Sequence, residues 1–277
     1  MQIPGMEEIL RLALSEDIGG GDVTTLSTVP EGNVSRGRFI AKEPLVVCGL
    51  PAAARVFALV DERVRVTPVF AEGGEAKKGD VIASVEGPSR GILTGERTAL
   101  NFLQRLSGVA TGTREAVKRV EGTQAVIVDT RKTTPGMRNL EKYAVRVGGG
   151  VNHRIGLYDG VLIKDNHIRA AGGITEAVEG ARRSAHHLLK IEVEVEDFTQ
   201  LREALDCRAD VIMLDNMSLA DMANAVRIVN GRALTEASGN MGERDLREVA
   251  QTGVDLISIG ALTHSARAMD ISLRFEE

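Results

Sequence analysis

The chain has 277 residues, of which 43% are hydrophobic, 26% are charged and 3% are aromatic, and its formal net charge is −5. This composition is typical of a folded protein with an aliphatic core, and it argues against a disordered chain and against a nucleic-acid surface, which needs clustered positive charge and aromatic side chains. The most apolar stretch, residues 44–60, contains Pro51 and Arg55 and is too short to cross a bilayer, so we expect no membrane role.

Two features bear on where the protein works. Residues 1–17 carry several acids and no apolar run, so we expect neither a secretion signal nor a transit peptide. Cys48 and Cys207 lie far apart in apolar contexts, with no Cys-x-x-Cys pair and no Cys/His spacing that would hold zinc. A reduced, cytoplasmic location is therefore the expectation.

The first part of the chain mixes helical and strand-like patterns. A helix is predicted over residues 6–15, and alternating segments typical of strands follow the glycine-rich turn 18–22, over 36–41 and 64–70. This mixture predicts an α+β domain over residues 1–108.

One segment of this domain, residues 71–87, has the turn glycines and the Lys-Gly-Asp step of a lipoyl or biotinyl carrier module. Lys77 and Lys78 precede Gly79 at the turn, but the residues around them do not match those that flank a modified carrier lysine. The segment is therefore interpreted as scaffold.

The remainder of the chain is periodic. Leucines at helical spacing over residues 94–118 predict one long helix or two short ones. Apolar β-type runs then alternate with amphipathic helices, which is the pattern of parallel strands joined by crossover helices. The predicted strands are 125–128, 161–163, 191–195, 211–214, 233–235 and 256–259. We predict an α/β barrel domain over 109–268 and a C-terminal segment, 269–277, that returns to the first domain.

Six strands are fewer than the eight of a complete α/β barrel. Either the barrel is incomplete, with an open side that another element or another subunit covers, or further strands lie between residues 136 and 158. The sequence alone leaves both possibilities open.

Cationic side chains are concentrated between Arg131 and Arg154, where six Arg or Lys residues face one acid, Glu141. They are Arg131, Lys132, Arg138, Lys142, Arg146 and Arg154. Planar guanidinium groups combined with compact ammonium groups suit a small ligand with several anionic groups. The alternative is a solvated basic face, in which a helix over 139–147 points its cations at water.

Polar residues follow every predicted strand, and the carboxyl ends of barrel strands converge on one site. Glu192, Glu194 and Glu196 alternate with apolar residues, so they would share one face of a strand. If that face is interior, the acids need cationic partners, for which Lys132 and Lys164 are candidates. The alternative is an edge strand with a hydrated acidic face.

The ends of the last two predicted strands carry glycine turns that are typical of a barrel's phosphate site. Ser238-Gly239-Asn240 precedes a predicted helix over 243–251, and Gly260 precedes a short helix, so that backbone N–H groups would bind the anion. The five histidines show no metal-ligand spacing. A magnesium ion that contacts Glu194 and Asp215, directly or through water, is the better prediction.

Seven segments spread over the whole chain resemble those of one enzyme family. They are GERTALNFLQRLSG (95–108), DTRKTTPGMRNLEKYAV (129–145), GGGVNHRIGLYDGVLIKDNH (148–167), IEVEVE (191–196), MLDNM (213–217), EASGN (236–240) and IGALTHSA (259–266). Together they are similar to the quinolinate phosphoribosyltransferases, also called nicotinate-nucleotide pyrophosphorylases (carboxylating). That resemblance implies an N-terminal α+β sandwich domain, an incomplete α/β barrel of about six strands, and a homodimer in which one subunit's N-terminal domain covers the other's barrel.

The resemblance also implies an activity. Family members join quinolinate to phosphoribosyl pyrophosphate with Mg²⁺, and they release pyrophosphate and carbon dioxide to give nicotinate mononucleotide for NAD synthesis. The expected partners are these two small molecules and a second copy of the chain that shares the active site, in a dimer or a higher oligomer.

Residue roles carried over by motif complete the expectation. The pyridine carboxylates would be bound by four cationic or titratable residues, by Thr130 in the same loop, and by Arg97 of the partner subunit. The four are Arg131, His153, Arg154 and Lys164. The expected catalytic residues are Lys132 and Lys164 with Glu194 and Asp215, of which Lys132 would face the pyrophosphate and the two acids would contact the ribose hydroxyls and Mg²⁺. Backbone N–H groups for the 5-phosphate would come from Ser238, Gly239, Asn240, Ile259, Gly260 and Ala261.

Three other interpretations remain at this point. Lys164, in an apolar context at a strand end, is a candidate Schiff-base lysine of an aldolase-like barrel. A related barrel associated with molybdenum transport would share the fold without residues 153–167. Finally, in a non-enzyme interpretation the basic stretch is a docking surface for an acidic partner, and residues 71–87 are a carrier module.

Overall fold

The protein is described by a computed structural model over residues 3–276, which contains eleven helices and twelve strands. The helices are α1 (Met6–Ile18), α2 (Val23–Thr28), α3 (Leu50–Val60), α4 (Ser89–Val120), α5 (Arg138–Val147), α6 (Asp165–Ala171), α7 (Ile174–Ser184), α8 (Phe198–Asp206), α9 (Leu219–Val229), α10 (Leu246–Gln251) and α11 (Ala261–His264). The strands are β1 (Val34–Ala41), β2 (Leu45–Val46), β3 (Arg65–Pro68), β4 (Glu75–Ala76), β5 (Val81–Pro88), β6 (Val126–Val128), β7 (Val161–Ile163), β8 (Ile191–Val195), β9 (Val211–Asp215), β10 (Leu234–Ser238), β11 (Leu256–Ser258) and β12 (Ile271–Phe275).

The chain forms two compact units. Within the described residues, the first unit contains residues 3–114, Thr134–Gly149 and residues 265–276. The second contains Glu115–Thr133 and Gly150–His264. The domain limits expected from the sequence, at 108 and 268, stay a prediction.

The first unit is built on an antiparallel sheet with the strand order β12-β1-β5-β3. Alternate residues of β1 are buried, which places Phe39 and Ala41 in the core, and the ring of Phe39 lies 6.2 Å from that of Phe57 on α3. The predicted helix 6–15 and strands 36–41 and 64–70 are all present. The segment 71–87 forms β4 and most of β5, and it contributes to this scaffold.

Helix α5 lies in the first unit and contains Arg138, Lys142 and Arg146 of the basic stretch. Arg146 is exposed, as the solvated-face alternative expected, but Lys142 is only 3% exposed. Glu141 is fully buried, and its carboxylate accepts hydrogen bonds from Arg105 at 2.8 Å and from the backbone N–H of Thr134 at 3.0 Å. The stretch is therefore divided between a structural helix and the site described below.

The second unit is built on a parallel sheet with the strand order β6-β11-β10-β9-β8-β7. The six predicted strands are present, and the fold class, an N-terminal domain with its own sheet and an incomplete α/β barrel, is confirmed. One strand was predicted too short, because β10 continues from Thr235 through Glu236 and Ser238. The sequence prediction ended that strand at its first charged residue, whereas Glu236 is fully buried inside the barrel.

Side-chain caps explain why a helix follows three of these strands promptly. Asp197 accepts from the N–H groups of Thr199 and Gln200 at the start of α8, and Asp245 caps α10 in the same way. Ser218 caps α9 by accepting from the N–H of Asp221. These caps satisfy orphan donors of the first helical turn and so fix where each crossover helix begins.

The sheet has an open side between its edge strands, β6 and β7. The region where further strands might have been missed holds α5 and a single bridge between Val128 and Val151. Residues 151–160, here called the seam segment, start beside β6 and end where β7 begins. Within residues 3–276 the barrel therefore has six strands, and the seam segment runs along its open side.

No helix among the residues that the structure describes combines the length and the apolar character needed to cross a membrane.

Candidate active site

Strand β8 presents its acids to the barrel interior. It lies between β9 and β7, so the edge-strand alternative is wrong. The side chains of Glu192 and Glu194 are 7% and 11% exposed, whereas Glu196 lies beyond the strand end and faces solvent. Because buried carboxylates need partners, each of the two interior acids must be paired.

Glu194 is paired with Lys164, one of the two lysines predicted for this role. Lys164 Nζ lies 2.5 Å from Glu194 Oε2, and the lysine side chain is 46% exposed. A lysine that forms a Schiff base is typically held in an apolar pocket, whereas Lys164 contacts a carboxylate and is partly exposed to water. The geometry therefore argues against the aldolase-like interpretation.

Asp215 ends β9 beside Asn216, which links two strand ends. The amide of Asn216 donates to Asp215 Oδ2 at 2.7 Å, and its backbone N–H donates to the carbonyl of Ser238 at 3.1 Å. Asn216 has a φ of +54°, in the left-handed region. This residue thus ties the orientation of Asp215 to the loop that follows β10.

The loop after β10, Ser238-Gly239-Asn240, packs tightly against Asn216. Gly239 has a φ of +95°, and a Cβ placed on it would lie 2.2 Å from Asn216 Oδ1. Asn240 is also left-handed, with a φ of +51°. Only a glycine fits the middle of this turn, where its backbone stays accessible to a ligand.

The turn after β11 brings Lys132 to the same end of the barrel. A Cβ on Gly260 would lie 3.1 Å from Lys132 Cδ, so the lysine stem runs against this turn. Thr263 Oγ1 of α11 donates to the carbonyl of Lys132 at 2.8 Å. The hydroxyl of Thr130 accepts from the N–H of Lys132 at 3.0 Å, and Thr130 therefore shapes this loop. Lys132 is thus adjacent to the second predicted phosphate turn, formed by Ile259, Gly260 and Ala261.

The seam segment delivers two further predicted residues, His153 and Arg154. Asp129, fully buried at the end of β6, accepts from Asn152 Nδ2 at 2.7 Å and from the backbone N–H of His153 at 2.8 Å. Arg154 Nη1 donates to the carbonyl of Gly160 at 3.0 Å. Both ends of the seam segment are therefore fixed by hydrogen bonds.

Arg154 and Arg131 lie close enough to influence each other. Burial lowers the pKa of the Arg154 guanidinium, and the charge of Arg131 lowers it further, whereas the charges of Glu192 and Asp159 act in the opposite direction. Two cations at one place, partly offset by acids beneath them, are suited to a ligand with adjacent anionic groups.

Two buried acids beneath these cations were not assigned a role from the sequence. His153 Nε2 lies 2.9 Å from Glu192 Oε2 and 3.6 Å from Glu236 Oε2. Burial raises the pKa of Glu236, and the charge of Glu192 raises it further, against the opposing charge of His153. Glu236 was detectable in principle, because it lies two residues before Ser238 and so shares its face of β10.

A cavity of about 420 Å³ adjoins this group at the other end of the strands. Its walls include Val128, Val161 and Leu256, as well as both buried acids. His153, Arg154 and Lys190 also line this cavity, so its apolar strand residues lie beside both cations and acids.

Arg97 belongs to the first unit and is exposed. Its role as a residue contributed by a partner subunit stays a prediction.

Comparisons with known proteins identify the family. Residues 109–274 match the family model described as quinolinate phosphoribosyl transferase, C-terminal domain, and residues 22–107 match that of its N-terminal domain. The chain belongs to the quinolinate phosphoribosyltransferase family.

Relatives of this quinolinate phosphoribosyltransferase family member extend over nearly its whole length. A probable nicotinate-nucleotide pyrophosphorylase [carboxylating] of Bacillus subtilis is 46% identical over 97% of this chain and 92% of its own. A mitochondrial quinolinate phosphoribosyltransferase [decarboxylating] of Nicotiana tabacum is 42% identical over 98% of this chain and 82% of its own. The solved nicotinate-nucleotide pyrophosphorylase of Francisella tularensis has a TM-score of 0.95 at 40% identity, covering 100% of this chain and 98% of that one.

These comparisons confirm the resemblance seen in the seven motifs. They also place residues 71–87 inside the N-terminal domain of the quinolinate phosphoribosyltransferase family, in agreement with the scaffold interpretation. The aldolase-like, molybdenum-related and carrier-module interpretations are not supported by any of them.

Proposed function

We propose that the protein transfers the phosphoribosyl group of phosphoribosyl pyrophosphate to the ring nitrogen of quinolinate. The products are nicotinate mononucleotide, pyrophosphate and carbon dioxide, on the route to NAD. The main support, beyond family membership, is the arrangement at the carboxyl ends of the strands. Cations of the Arg131 loop, of the seam segment and of the position after β7 lie there with two acids of β8 and β9 and two glycine turns.

Recognition of quinolinate is assigned to the cations. Arg131 and Arg154 offer planar guanidinium groups that match carboxylates, and Lys164 adds a movable charge, so two neighbouring carboxylates are both accommodated. Arg97 of the partner subunit would complete this set in a homodimer with shared active sites.

Transfer is assigned to the acids. As the bond to pyrophosphate lengthens, positive charge develops on the ribosyl carbon, and carboxylates held beside it lower the barrier electrostatically. Glu194 and Asp215 have this role, and each also has an oxygen suited to a ribose hydroxyl. Lys132, beside the Gly260 turn, balances charge on the departing pyrophosphate.

Decarboxylation follows from the new bond. Glycosylation makes the pyridine nitrogen cationic, so the electron pair left on the adjacent carbon when carbon dioxide departs is stabilised by that charge. The carbon then takes up a proton. The protein contributes mainly by fixing the geometry of the reactants.

The carboxylates of Glu194 and Asp215 are suited to binding Mg²⁺. Within the described part of the chain, hydrogen-bond donors engage one oxygen of Glu194 and one of Asp215, which leaves a second carboxylate oxygen on each. Carboxylate oxygens, water and substrate phosphates are the ligands that Mg²⁺ prefers. The ion would neutralise charge on the pyrophosphate, and it would be held by these two residues through water or substrate. We also propose a cytoplasmic location, on the basis of the two separated free cysteines.

The reaction is tested with quinolinate labelled in its 2-carboxylate. We expect labelled carbon dioxide to be released only when phosphoribosyl pyrophosphate and Mg²⁺ are both present, with nicotinate mononucleotide formed in equal amount. Nicotinate, which lacks the 2-carboxylate, is the matched control and should give no nucleotide. A protein that used nicotinate and left quinolinate untouched would contradict the proposal.

The shared site is tested by subunit mixing. At a quinolinate concentration near the wild-type KM, Arg97→Ala and Arg154→Ala should each have little activity alone. After the two are unfolded and refolded together, about a quarter of the wild-type activity should return, because a mixed two-fold dimer contains one intact site. No recovery, with mixed dimers demonstrated, would place Arg97 outside the partner's site.

A further inference from the structure

The ring of His153 is held at both nitrogens by the protein itself. The backbone N–H of Arg154 donates to Nδ1 at 2.8 Å, and Nε2 lies 2.9 Å from Glu192 Oε2. The side chain is only 14% exposed. Each nitrogen thus has a protein partner.

These contacts determine the tautomer. A ring nitrogen that accepts a hydrogen bond carries no proton, so Nδ1 is unprotonated and the proton of the neutral ring is on Nε2, where it is donated to Glu192. A ring in this state has no N–H left to offer a substrate carboxylate.

The same logic excludes a metal in this group. The ligand atoms of His153, Glu192 and Glu236 lie within 4.8 Å of one another, as they would around a cation. A metal needs an unprotonated ligand nitrogen and a ring whose other N–H donates to an acceptor. Here Nδ1 faces a donor, so binding a metal through Nε2 would require an imidazolate.

Glu192 and Glu236 lie next to His153, and the charge of Glu192 also acts on Arg154. Glu236 is fully buried, and within residues 3–276 neither of its carboxylate oxygens has a hydrogen-bond partner. Glu192 accepts from His153 and also contributes the negative charge that favours the Arg154 guanidinium. A chain of contacts therefore runs from the acid pair through the imidazole to the backbone of Arg154.

We propose that His153 acts as a positioning residue, a neutral Nε2–H imidazole that, with Glu192 and Glu236 behind it, fixes the backbone of Arg154, while Arg154 itself contacts the quinolinate carboxylate. This inference rests on the proposed function for the identity of the ligand. It differs from the role that the family resemblance implied, in which His153 binds the carboxylate itself.

The tautomer is measured directly by NMR of the protein labelled with ¹⁵N in its histidine rings. The chain has five histidines, and the spectrum of His153→Gln identifies the signals of His153 by their loss. We expect a protonated Nε2 and an unprotonated Nδ1 from about pH 6 to 8, both in the free protein and with saturating quinolinate. A ring protonated at Nδ1 in the quinolinate complex would overturn the proposal.

Kinetics of two substitutions supply the second readout. His153→Ala removes both contacts and should lower kcat/KM for quinolinate by about 10- to 100-fold, since a buried hydrogen-bond partner is lost. His153→Gln is neutral but keeps a donor near the position of Nε2, and we expect it to stay within about 5-fold of wild type. A glutamine variant as impaired as the alanine variant would contradict a positioning role.

Combined substitutions test whether His153 and Glu192 act on Arg154 through the same contacts. Glu192→Ala should reproduce the His153→Ala defect, and the double variant should be no worse than either alone, because both act on Arg154 through one chain of contacts. Glu196→Ala, an exposed acid beyond the end of the same strand, is the matched control and should leave activity unchanged. Additive losses would overturn the proposal, whereas a wild-type protein inert towards quinolinate would instead overturn the proposed function.

Discussion

The proposed phosphate site is tested by substituting Gly239 in the loop after β10. In Gly239→Ala the new Cβ would lie 2.2 Å from Asn216 Oδ1 and 2.9 Å from the Asn216 backbone nitrogen. The φ of +95° is itself unfavourable for alanine. Restoring an ordinary contact distance requires the loop or Asn216 to move by about 1 Å, and a displacement of that size at a catalytic site costs about 100-fold in rate.

The assay is steady-state kinetics with each substrate varied in turn. We expect kcat/KM for phosphoribosyl pyrophosphate to fall by about 100-fold in Gly239→Ala, while binding of quinolinate alone, measured by calorimetry, changes little. Gly180→Ala is the matched control, because nothing lies within 4 Å of a Cβ at this partly exposed position in α7. It should leave activity unchanged and the protein equally or slightly more stable. Normal kinetics with phosphoribosyl pyrophosphate in Gly239→Ala would show that this loop does not bind the phosphate.

Three further predictions concern binding and stability. Arg154→Ala should raise KM for quinolinate at least about 30-fold, since a charged partner of a carboxylate is lost, and near-normal kinetics would remove Arg154 from the site. Glu141→Gln should lower the free energy of unfolding by about 3 kcal/mol in urea titrations, because it breaks a buried ion pair with Arg105. Glu179→Gln, in an exposed ion pair, is the control and should change the free energy of unfolding by less than about 0.5 kcal/mol. Equal effects of the two substitutions would contradict this reasoning. A hydrogen bond from Arg267 holds the pKa of Glu43 at about 2, below its usual 4.5, so its stabilisation is complete above pH 4.5 and is lost as pH falls towards 2. Glu43→Gln should therefore flatten the acid side of the melting-temperature profile, and an unchanged profile would refute this.

Much of the barrel was predictable because its strands are short, continuous apolar runs, which are typical of strands buried on both faces. The positions of Lys164 and Asp215 followed from this, since each directly ends or follows such a run. A lysine partner for an interior carboxylate was also expected, but the sequence did not decide between Lys132 and Lys164 or say which acid would be paired.

The acid beneath the site was missed for a physical reason. Glu236 directly follows the predicted strand 233–235, and a charged side chain at such a position is normally exposed. Its burial depends on Glu192 and His153, which lie on other elements far away in sequence. Likewise, the sequence identified His153 as a candidate site residue. The partners of its two ring nitrogens decide its tautomer, and they are set by tertiary structure alone.

The negative charge beneath the cations has a consequence for turnover. Quinolinate arrives with two carboxylates and departs, as nicotinate mononucleotide, with one. A site of guanidinium groups without internal counter-charge would hold any anionic product strongly after the reaction. Because Glu192 already offsets part of the charge of Arg154, this arginine keeps a counter-charge from the protein after one substrate carboxylate is lost, and that counter-charge favours release of the product.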